Sequence, residues 1–420
     1  MNSFSIQNFG CRVNQAEAFL WADEFQKNGL RYERDFLKSD LVIINSCTLT
    51  QRADSDVRQF IKKISTQNPR AKLILTGCYA ERLALEGKEA EGIWKTFLNS
   101  EKNYLVGDLL SLLELKNEFK TRNRARRRFR SRALVKAQDG CDFGCTFCII
   151  PRVRGRSRSV PQGEVLKKIR EFASQGFREI VLTGINLCSY GLDLSPPSSL
   201  LDLLKEIENI EGLGRIRLSS LDPRFLDFSL LEHFVKSSKI CPHFHLSLQH
   251  GSEKVLAKMG RKIEIEDYTK ILLYLRGGLP QASLGADIIV GFPGESEEDF
   301  QKTYTFLQDS PLTYFHVFSY SPRPGTMASH LPQIDSKLKK KRSEELRRLS
   351  RFKSLQFYAQ AIGGEYQAVV IRKEKKEAKV LTSNYLKVFV PFCFKQEGEE
   401  VRVKVTGVEG MRGEGEIVEQ

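Results

Sequence analysis

The opening third of the chain alternates short apolar runs with amphipathic stretches. Ser3 to Asn8, Asp40 to Ser46, Ala71 to Gly77 and Tyr104 to Gly107 read as strands, and the segments between them carry apolar residues at helical spacing. That alternation predicts a small parallel α/β sheet. A second alternation begins at Arg132, with strands expected at Ala133 to Gln138, Glu179 to Thr183, Arg215 to Ser219, His243 to Leu248, Leu284 to Val290 and Tyr314 to Phe318. Six strand-helix units of this length suit a partial (β/α)6 barrel, whose active site would lie at the C-terminal strand ends. Lys337 to Lys353 reads as one long solvated helix closing this part. After Gly363 and Gly364 the texture turns β-rich, at Tyr366 to Ile371, Ala378 to Leu381, Leu386 to Val390, Val401 to Val405 and Gly415 to Val418. Short strands separated by glycine, asparagine and charge predict a small all-β barrel of the kind that often binds RNA.

Composition sharpens this picture. A chain of 420 residues is long for one core and favours two or three domains. Hydrophobic content of 41% and charged content of 28% exclude a disordered chain, and no run approaches the roughly 18 apolar residues of a membrane span. The first residues, MNSFSIQNFG, carry neither a basic leader nor an apolar run, so a cytoplasmic location and no membrane partner are expected. A net charge of +14 attracts polyanions, nucleic acid first among them. Nine cysteines without an export signal point to metal ligation or catalysis rather than disulfides.

The strongest chemical signal is Cys141-Asp142-Phe143-Gly144-Cys145-Thr146-Phe147-Cys148, immediately after the first strand of the second alternation. Cysteines spaced four and then three apart can wrap one loop around a cubane, so that Cys141, Cys145 and Cys148 bind three irons of a [4Fe-4S] cluster and leave the fourth open. A zinc knuckle is the bland alternative, but zinc wants a fourth Cys or His, and Ile149 to Val160 offers none. Cys11, Cys47 and Cys78 each fall just past a predicted strand. In a parallel sheet those ends share one edge, which makes a second three-cysteine cluster a candidate beside the alternative of three unrelated buried thiols. The run Arg122 to Arg132 reads as a basic linker. With Arg152, Arg154, Arg156 and Arg158 it forms a belt suited to RNA phosphates, although such runs are often only solvated surface. His243 and His245 alternate on a strand and are expected in the core or lining a pocket. Cys188, Cys241 and Cys393 show no partner pattern and are expected to pack.

The loop from Cys141, with Phe147 beside its last cysteine, resembles the CxxxCxxC motif of radical S-adenosylmethionine (SAM) enzymes. Together with Phe9-Gly10-Cys11-Arg12-Val13-Asn14-Gln15, Asn45-Ser46-Cys47-Thr48 and Thr76-Gly77-Cys78-Tyr79-Ala80 it is similar to the methylthiotransferase family over essentially the whole chain. The resemblance implies a methylthiotransferase N-terminal domain over 1–118 with an auxiliary cluster, a radical SAM core over 127–357, and an RNA-gripping TRAM domain over 360–420. It implies two [4Fe-4S] clusters and SAM as cofactors. It also implies a SAM pocket involving Phe147, Thr183, Gly184, Asn186, Asp287 and Gly291, while the basic belt itself leads us to expect RNA contacts at Arg126, Arg128, Arg154 and Arg156. Gln249, Gly251, Ser252 and Arg261 lie in another stretch similar to the family. The Gly-Cys-Arg-Val-Asn-Gln form, with Gln138-Asp139-Gly140, is most similar to the branch that modifies threonylcarbamoyladenosine beside the anticodon. The expected partners are a tRNA anticodon stem-loop, an electron donor such as a flavodoxin or ferredoxin, and a sulfur source. Alternatives are isopentenyladenosine or a ribosomal protein aspartate as substrate and, in another class, a non-catalytic zinc-containing RNA-binding protein.

Overall fold

A computed structural model of the chain describes residues 1–114, 131–374, 376–391 and 393–418. Most of the expected basic linker, including Arg126 and Arg128, lies outside the described residues.

The first unit runs β1 (Ser3–Asn8), α1 (Arg12–Lys27), β2 (Arg31–Tyr32), β3 (Leu41–Ser46), α2 (Gln51–Gln67), β4 (Lys72–Gly77), α3 (Cys78–Leu85), β5 (Lys95–Phe97) and α4 (Leu105–Leu112). Its strands form a parallel sheet in the order β2-β1-β3-β4-β5. β3 is buried along its whole length, as the continuous apolar run Leu41-Val42-Ile43-Ile44 requires of a central strand covered on both faces. The strand expected at Tyr104 to Gly107 is instead the start of α4, where Leu105, Val106 and Leu109 bury one helical face. The edge strand is β5, too short and polar to show an alternating pattern.

α1 joins this unit to the next. Ala18, Trp21, Ala22 and Phe25 enter the core of the first sheet, while Ala16 and Phe19 belong to the core of the second unit. There Phe19 meets Phe172 and Phe177 edge-on, with centroids 5.1 and 5.6 Å away.

The second unit comprises β6 (Ala133–Lys136), β7 (Gln138–Asp139), α5 (Ile150–Arg154), β8 (Arg158–Ser159), α6 (Gln162–Ser174), β9 (Glu179–Thr183), α7 (Leu200–Glu208), β10 (Arg215–Leu218), α8 (Phe228–Lys236), β11 (His243–His245), α9 (Glu253–Lys258), α10 (Ile265–Gly278), β12 (Ser283–Val290), α11 (Glu297–Asp309), β13 (Tyr314–Ser319) and α12 (Ser336–Gln360). β6, β9 and β10 form one parallel sheet and β11, β12 and β13 another. Parallel bridges Ile216–Ile240 and Leu221–Leu246 join them into six parallel strands in chain order, which is the expected partial barrel. The long helix α12 packs against β13 and β12.

The last unit is a closed five-stranded barrel in the order β14 (Glu365–Lys373), β15 (Glu377–Thr382), β16 (Lys387–Pro391), β18 (Arg412–Ile417), β17 (Glu400–Glu409). Its β15–β16 turn reaches the N-terminal end of the large barrel. There Asn384 Nδ2 donates to the Gln281 carbonyl at 3.0 Å, and Arg217 donates to the carbonyls of Ser383 and Thr382 at 2.9 and 3.1 Å. Among the described residues no helix is long and apolar enough to cross a membrane.

Candidate cluster sites and reaction cavity

β1, β3 and β4 are adjacent and parallel, and the chain leaves them at Cys11, Cys47 and Cys78. With strands roughly 4.8 Å apart, the three thiols gather at one edge. Gly77 makes this possible at β4: its φ is +96°, and a Cβ there would lie 2.4 Å from the Ser46 carbonyl oxygen, so only glycine allows the turn that makes Cys78 the first residue of α3. An amide latch holds the other two loops. Asn14 Nδ2 donates to Asn45 Oδ1 and to the Ser46 carbonyl, both at 3.0 Å, and Asn45 Nδ2 returns a bond to the Asn14 carbonyl at 2.9 Å. Burial pushes the Cys47 thiol up to about 12, and the neighbouring Cys78 and Cys11 add to that shift.

The second trio hangs from β7. Gly140 has φ +70°, and a Cβ there would fall 1.9 Å from the Arg156 carbonyl oxygen, so the backbone passes too closely for any side chain. The amide of Cys141 then bonds the Gly155 carbonyl at 3.1 Å, that of Thr146 the Met259 carbonyl at 3.0 Å, and that of Cys148 the Cys145 carbonyl at 3.0 Å. Burial pushes the Cys148 thiol up to about 12, with Cys145, Cys141 and Cys78 raising it further. The two trios therefore sense one another across the interface. Cys78 shares a small buried cluster with Ile149, Ile150 and Val153, against which Cys141 and Cys148 pack.

Between them lies a cavity of about 340 Å³ whose walls include Cys11 from one trio and Cys141, Cys145 and Cys148 from the other. The donor set fits iron-sulfur clusters: none of these cysteines is in a disulfide, and cations face the sulfurs. Arg154 Nε lies 3.3 Å from Cys78 Sγ, and Arg261 Nη1 lies 3.9 Å from Cys145 Sγ. The cavity also fits a polar ligand. Both amide atoms of the buried Asn186 and the Nε of Arg261 have no protein partner, an expensive condition unless a ligand or solvent meets them.

Of the expected SAM residues, Phe147, Gly184, Asn186 and Asp287 line this cavity. Thr183 and Gly291 do not. The Thr183 hydroxyl donates to the Val135 carbonyl at 3.2 Å, and the Gly291 amide bonds the Glu295 carboxylate. Gln249 and Arg261 also line the walls, whereas Gly251 bonds Thr303 and Ser252 bonds Asp299 behind them. Burial pushes the Asp287 carboxyl up, but His245 at 3.1 Å and His316 at 3.3 Å outweigh it and hold the acid below its ordinary range. His245 is thus tied to the pocket wall, while His243 stacks on Tyr385 of the small barrel, centroids 4.0 Å apart.

Arg154 corrects an expectation. It is 3% exposed and cannot meet a phosphate; its guanidinium bonds Asp139 at 2.7 Å, Glu17 at 3.2 Å and the Asn14 side chain. Glu17, which sequence reasoning missed, also pairs with Lys102 at 2.6 Å and Lys136 at 3.4 Å. Three cations thus share two carboxylates beside Cys78, a surplus of positive charge suited to a thiolate-bound cluster. Arg152, Arg156 and Arg158 are exposed. Cys188, Cys241 and Cys393 lie in neither trio; Cys188 is next to Asp222, Cys241 next to Arg217, and Cys393 against the Lys395 carbonyl.

A CxxxCxxC loop on a parallel barrel, beside a cavity at the C-terminal strand ends, is the arrangement of a radical SAM enzyme, and residues 135–307 match the radical SAM superfamily. Residues 3–98 match a family described as uncharacterized protein family UPF0004. The chain is 37% identical to a threonylcarbamoyladenosine tRNA methylthiotransferase MtaB from Aquifex aeolicus, over 96% of this chain and 99% of that one. It is 33% identical to the Bacillus subtilis protein of that name, over 100% and 97%. A tRNA-2-methylthio-N(6)-dimethylallyladenosine synthase from Pelotomaculum thermopropionicum is 31% identical, over 89% and 88%. Among solved structures, the radical SAM methyltransferase TsrM from Kitasatospora setae shares the fold at TM-score 0.54 and 14% identity, covering 78% of this chain and 77% of that one. The chain belongs to the radical SAM methylthiotransferase family. It is a transferase whose cofactors are SAM and iron-sulfur clusters of the [4Fe-4S] type.

Proposed function

We propose that this chain transfers a methylthio group to C2 of N6-threonylcarbamoyladenosine at position 37 of tRNA, forming the 2-methylthio base. The observation that carries the reading is a cavity walled by Cys11 of one trio and by all three cysteines of the other: there a carbon made radical by one centre can meet sulfur held at the other. When bound, the cluster at Cys141, Cys145 and Cys148 supplies the electron that cleaves SAM, and the one at Cys11, Cys47 and Cys78 supplies the site for the transferred sulfur. The protein's own part is positional. Phe147 and Ile289 keep the cavity apolar, while Gly184 lets the backbone approach and Asn186 offers both amide atoms to a polar ligand such as SAM. Arg261, held by Asp222 at 3.3 Å and the Ser247 carbonyl at 2.6 Å, presents a fixed cation.

In this reading residues 1–118 carry the auxiliary cluster, 127–357 the radical chemistry, and 360–420 grip the anticodon stem-loop as a TRAM domain. Arg126, Arg128 and the exposed Arg156 contribute phosphate contacts. A flavodoxin or ferredoxin supplies the electron, a separate donor renews the sulfur, and the reaction runs in the cytoplasm.

The test is nucleoside mass spectrometry of tRNA from cells lacking the gene, complemented with wild type, Cys145→Ala or Cys47→Ala. Only wild type restores the 2-methylthio threonylcarbamoyl nucleoside. In vitro Cys145→Ala forms no 5'-deoxyadenosine, whereas Cys47→Ala still forms it without thiolation. Methylthio groups appearing on isopentenyladenosine, or on no nucleoside, would refute the substrate. Zinc without iron after anaerobic purification would refute the chemistry, which requires about eight irons per chain.

A further inference from the structure

We infer that Arg12 recognises the ionised carboxylate of the substrate's N6 substituent; the inference rests on the proposed threonylcarbamoyl substrate and names the residue that selects it. Arg12 follows Cys11 directly and lines the reaction cavity. Its only polar partner among the described residues is the hydroxyl of Tyr385, to which Nη2 donates, and its guanidinium lies 5.9 Å from the centre of that ring. The other charged groups of the cavity wall are already paired: Asp222 with Arg224 and Arg261, Asp287 with His245 and His316. No carboxylate of the described residues pairs with Arg12.

The surroundings make an anion welcome. Arg132, Arg215 and Arg217 converge on one carboxylate, the fully buried Glu179, at 3.2, 3.3 and 2.8 Å. Arg215 has a second acid in Glu400 at 3.5 Å, yet all three of its guanidinium nitrogens lack a hydrogen-bond acceptor. Arg217 lies 5.2 Å from the centre of the Tyr385 ring that Arg12 also meets, so four guanidinium groups gather around two carboxylates and leave positive charge uncompensated beside Arg12. Tyr385 fixes the geometry. It holds a left-handed backbone, φ 76°, stacks on His243 at 4.0 Å, and so presents its hydroxyl to Arg12 from the small barrel. A guanidinium held from one side keeps donors free on the other, and a planar fork matches a carboxylate in two bonds.

Threonylcarbamoyladenosine carries one carboxylate; adenine and its isopentenyl derivative carry none. A cavity that closes on a neutral N6 group would bury Arg12 without a counter-charge, so the same residue attracts one base and rejects the others. The test is fluorescence anisotropy under anaerobic, reductant-free conditions, with cluster-loaded protein and anticodon stem-loops that differ only at position 37: threonylcarbamoyladenosine, its carboxamide analogue, and adenosine. Wild type should bind the carboxylate about ten- to a hundredfold more tightly than either neutral base, the range expected for a hydrogen bond to a charged group. Arg12→Gln should bind all three alike. Retention of the preference in Arg12→Gln overturns the assignment. So does an Arg12→Gln protein that keeps the preference but loses SAM in equilibrium dialysis, which would give the cation to the SAM carboxylate. Should Arg12→Gln not load clusters, Arg12→Lys decides: it keeps the charge without the fork, so a weakened preference must survive, and its absence refutes the proposal. Wild type indifferent to the three stem-loops would instead overturn the substrate reading itself.

Discussion

Replacing Glu17 by glutamine tests the charge network that joins the first sheet to the barrel. Glu17 is 3% exposed and neutralises Lys102 at 2.6 Å, Arg154 at 3.2 Å and Lys136 at 3.4 Å. In the variant Arg154 and Lys136 keep Asp139, at 2.7 and 3.1 Å. Lys102, itself 4% exposed, is left with the Asn45 amide oxygen at 3.3 Å and the face of Trp21 at 5.8 Å, and with no paired carboxylate. One buried cation loses its counter-charge while two keep theirs, so the cost belongs at the lower end for a broken buried pair, about 3 kcal/mol, or roughly a hundredfold in the folding equilibrium.

Both tryptophans of the chain, Trp21 and Trp94, lie in the first unit, so urea denaturation followed by their fluorescence reports on that unit. The midpoint should fall without a change of slope. Removing the stranded charge as well, with Glu17→Gln and Lys102→Met together, should recover more than about 1 kcal/mol of the loss, because the pair couples strongly. Asp23→Asn, which breaks the partly exposed Lys27–Asp23 pair, should cost less than about 1 kcal/mol. A Glu17→Gln cost as small as that of Asp23→Asn, or strict additivity of the double variant, would refute the reasoning.

Burial pushes the Glu179 carboxyl up, but Arg217, Arg132 and Arg215 outweigh it and bring it to about 2. A depressed acid stabilises the fold above its unfolded value near 4.5 and loses that contribution as pH falls toward 2, so Glu179→Gln should flatten the acid limb of stability against pH; an unchanged limb contradicts this. Gly140→Ala must place a Cβ 1.9 Å from a carbonyl oxygen at a positive φ, which displaces Cys141, and iron after anaerobic loading should drop from about eight per chain to about four. Full iron in that variant would count against the loop. Asn186→Ala removes two unpartnered amide atoms from the cavity wall, and SAM dissociation measured by equilibrium dialysis should weaken about tenfold; an unaltered constant would show that SAM does not meet this amide.

Much of the architecture was legible because it is periodic. The runs Val42 to Ile44 and Glu179 to Thr183 are long enough to name strands, and the place of each cysteine just past such a run foretold the shared edge. Tyr104 to Gly107 misled because a short apolar run does not distinguish a strand from a buried helical turn; Leu109, one turn further, was the missing cue. Arg154 misled differently. Four arginines alternate from 152 to 158, yet only Arg154 turns inward, and its partners Glu17 and Asp139 come from distant segments. Glu17 was visible in principle, as an acid flanked by Ala16 and Ala18 on the buried side of α1, a position that calls for a cation no local pattern supplies. Arg12 and Tyr385 are separated by almost the whole chain, so their contact could not be read from spacing.

The meeting of the two trios follows from the way a single helix is shared. α1 starts at the residue after Cys11, so any shift of that helix moves a proposed cluster ligand. Its Phe19 is 4% exposed and seated among barrel side chains, and withdrawing it would expose an aromatic surface worth roughly 1.5–3 kcal/mol. The same helix carries Asn14, latched to β3 beside Cys47, and Glu17, bound to Arg154, which in turn faces Cys78. All three ligands of the first trio are thereby referred to the barrel through one helix, while α5, next to the second trio, packs against α3 and Cys78. The position of the first sheet on the barrel is therefore set by apolar packing at Phe19 and by buried charge at Glu17. Such a fixed placement suits the proposed reaction, in which a carbon centre generated at one wall has to find sulfur at the other before it finds anything else.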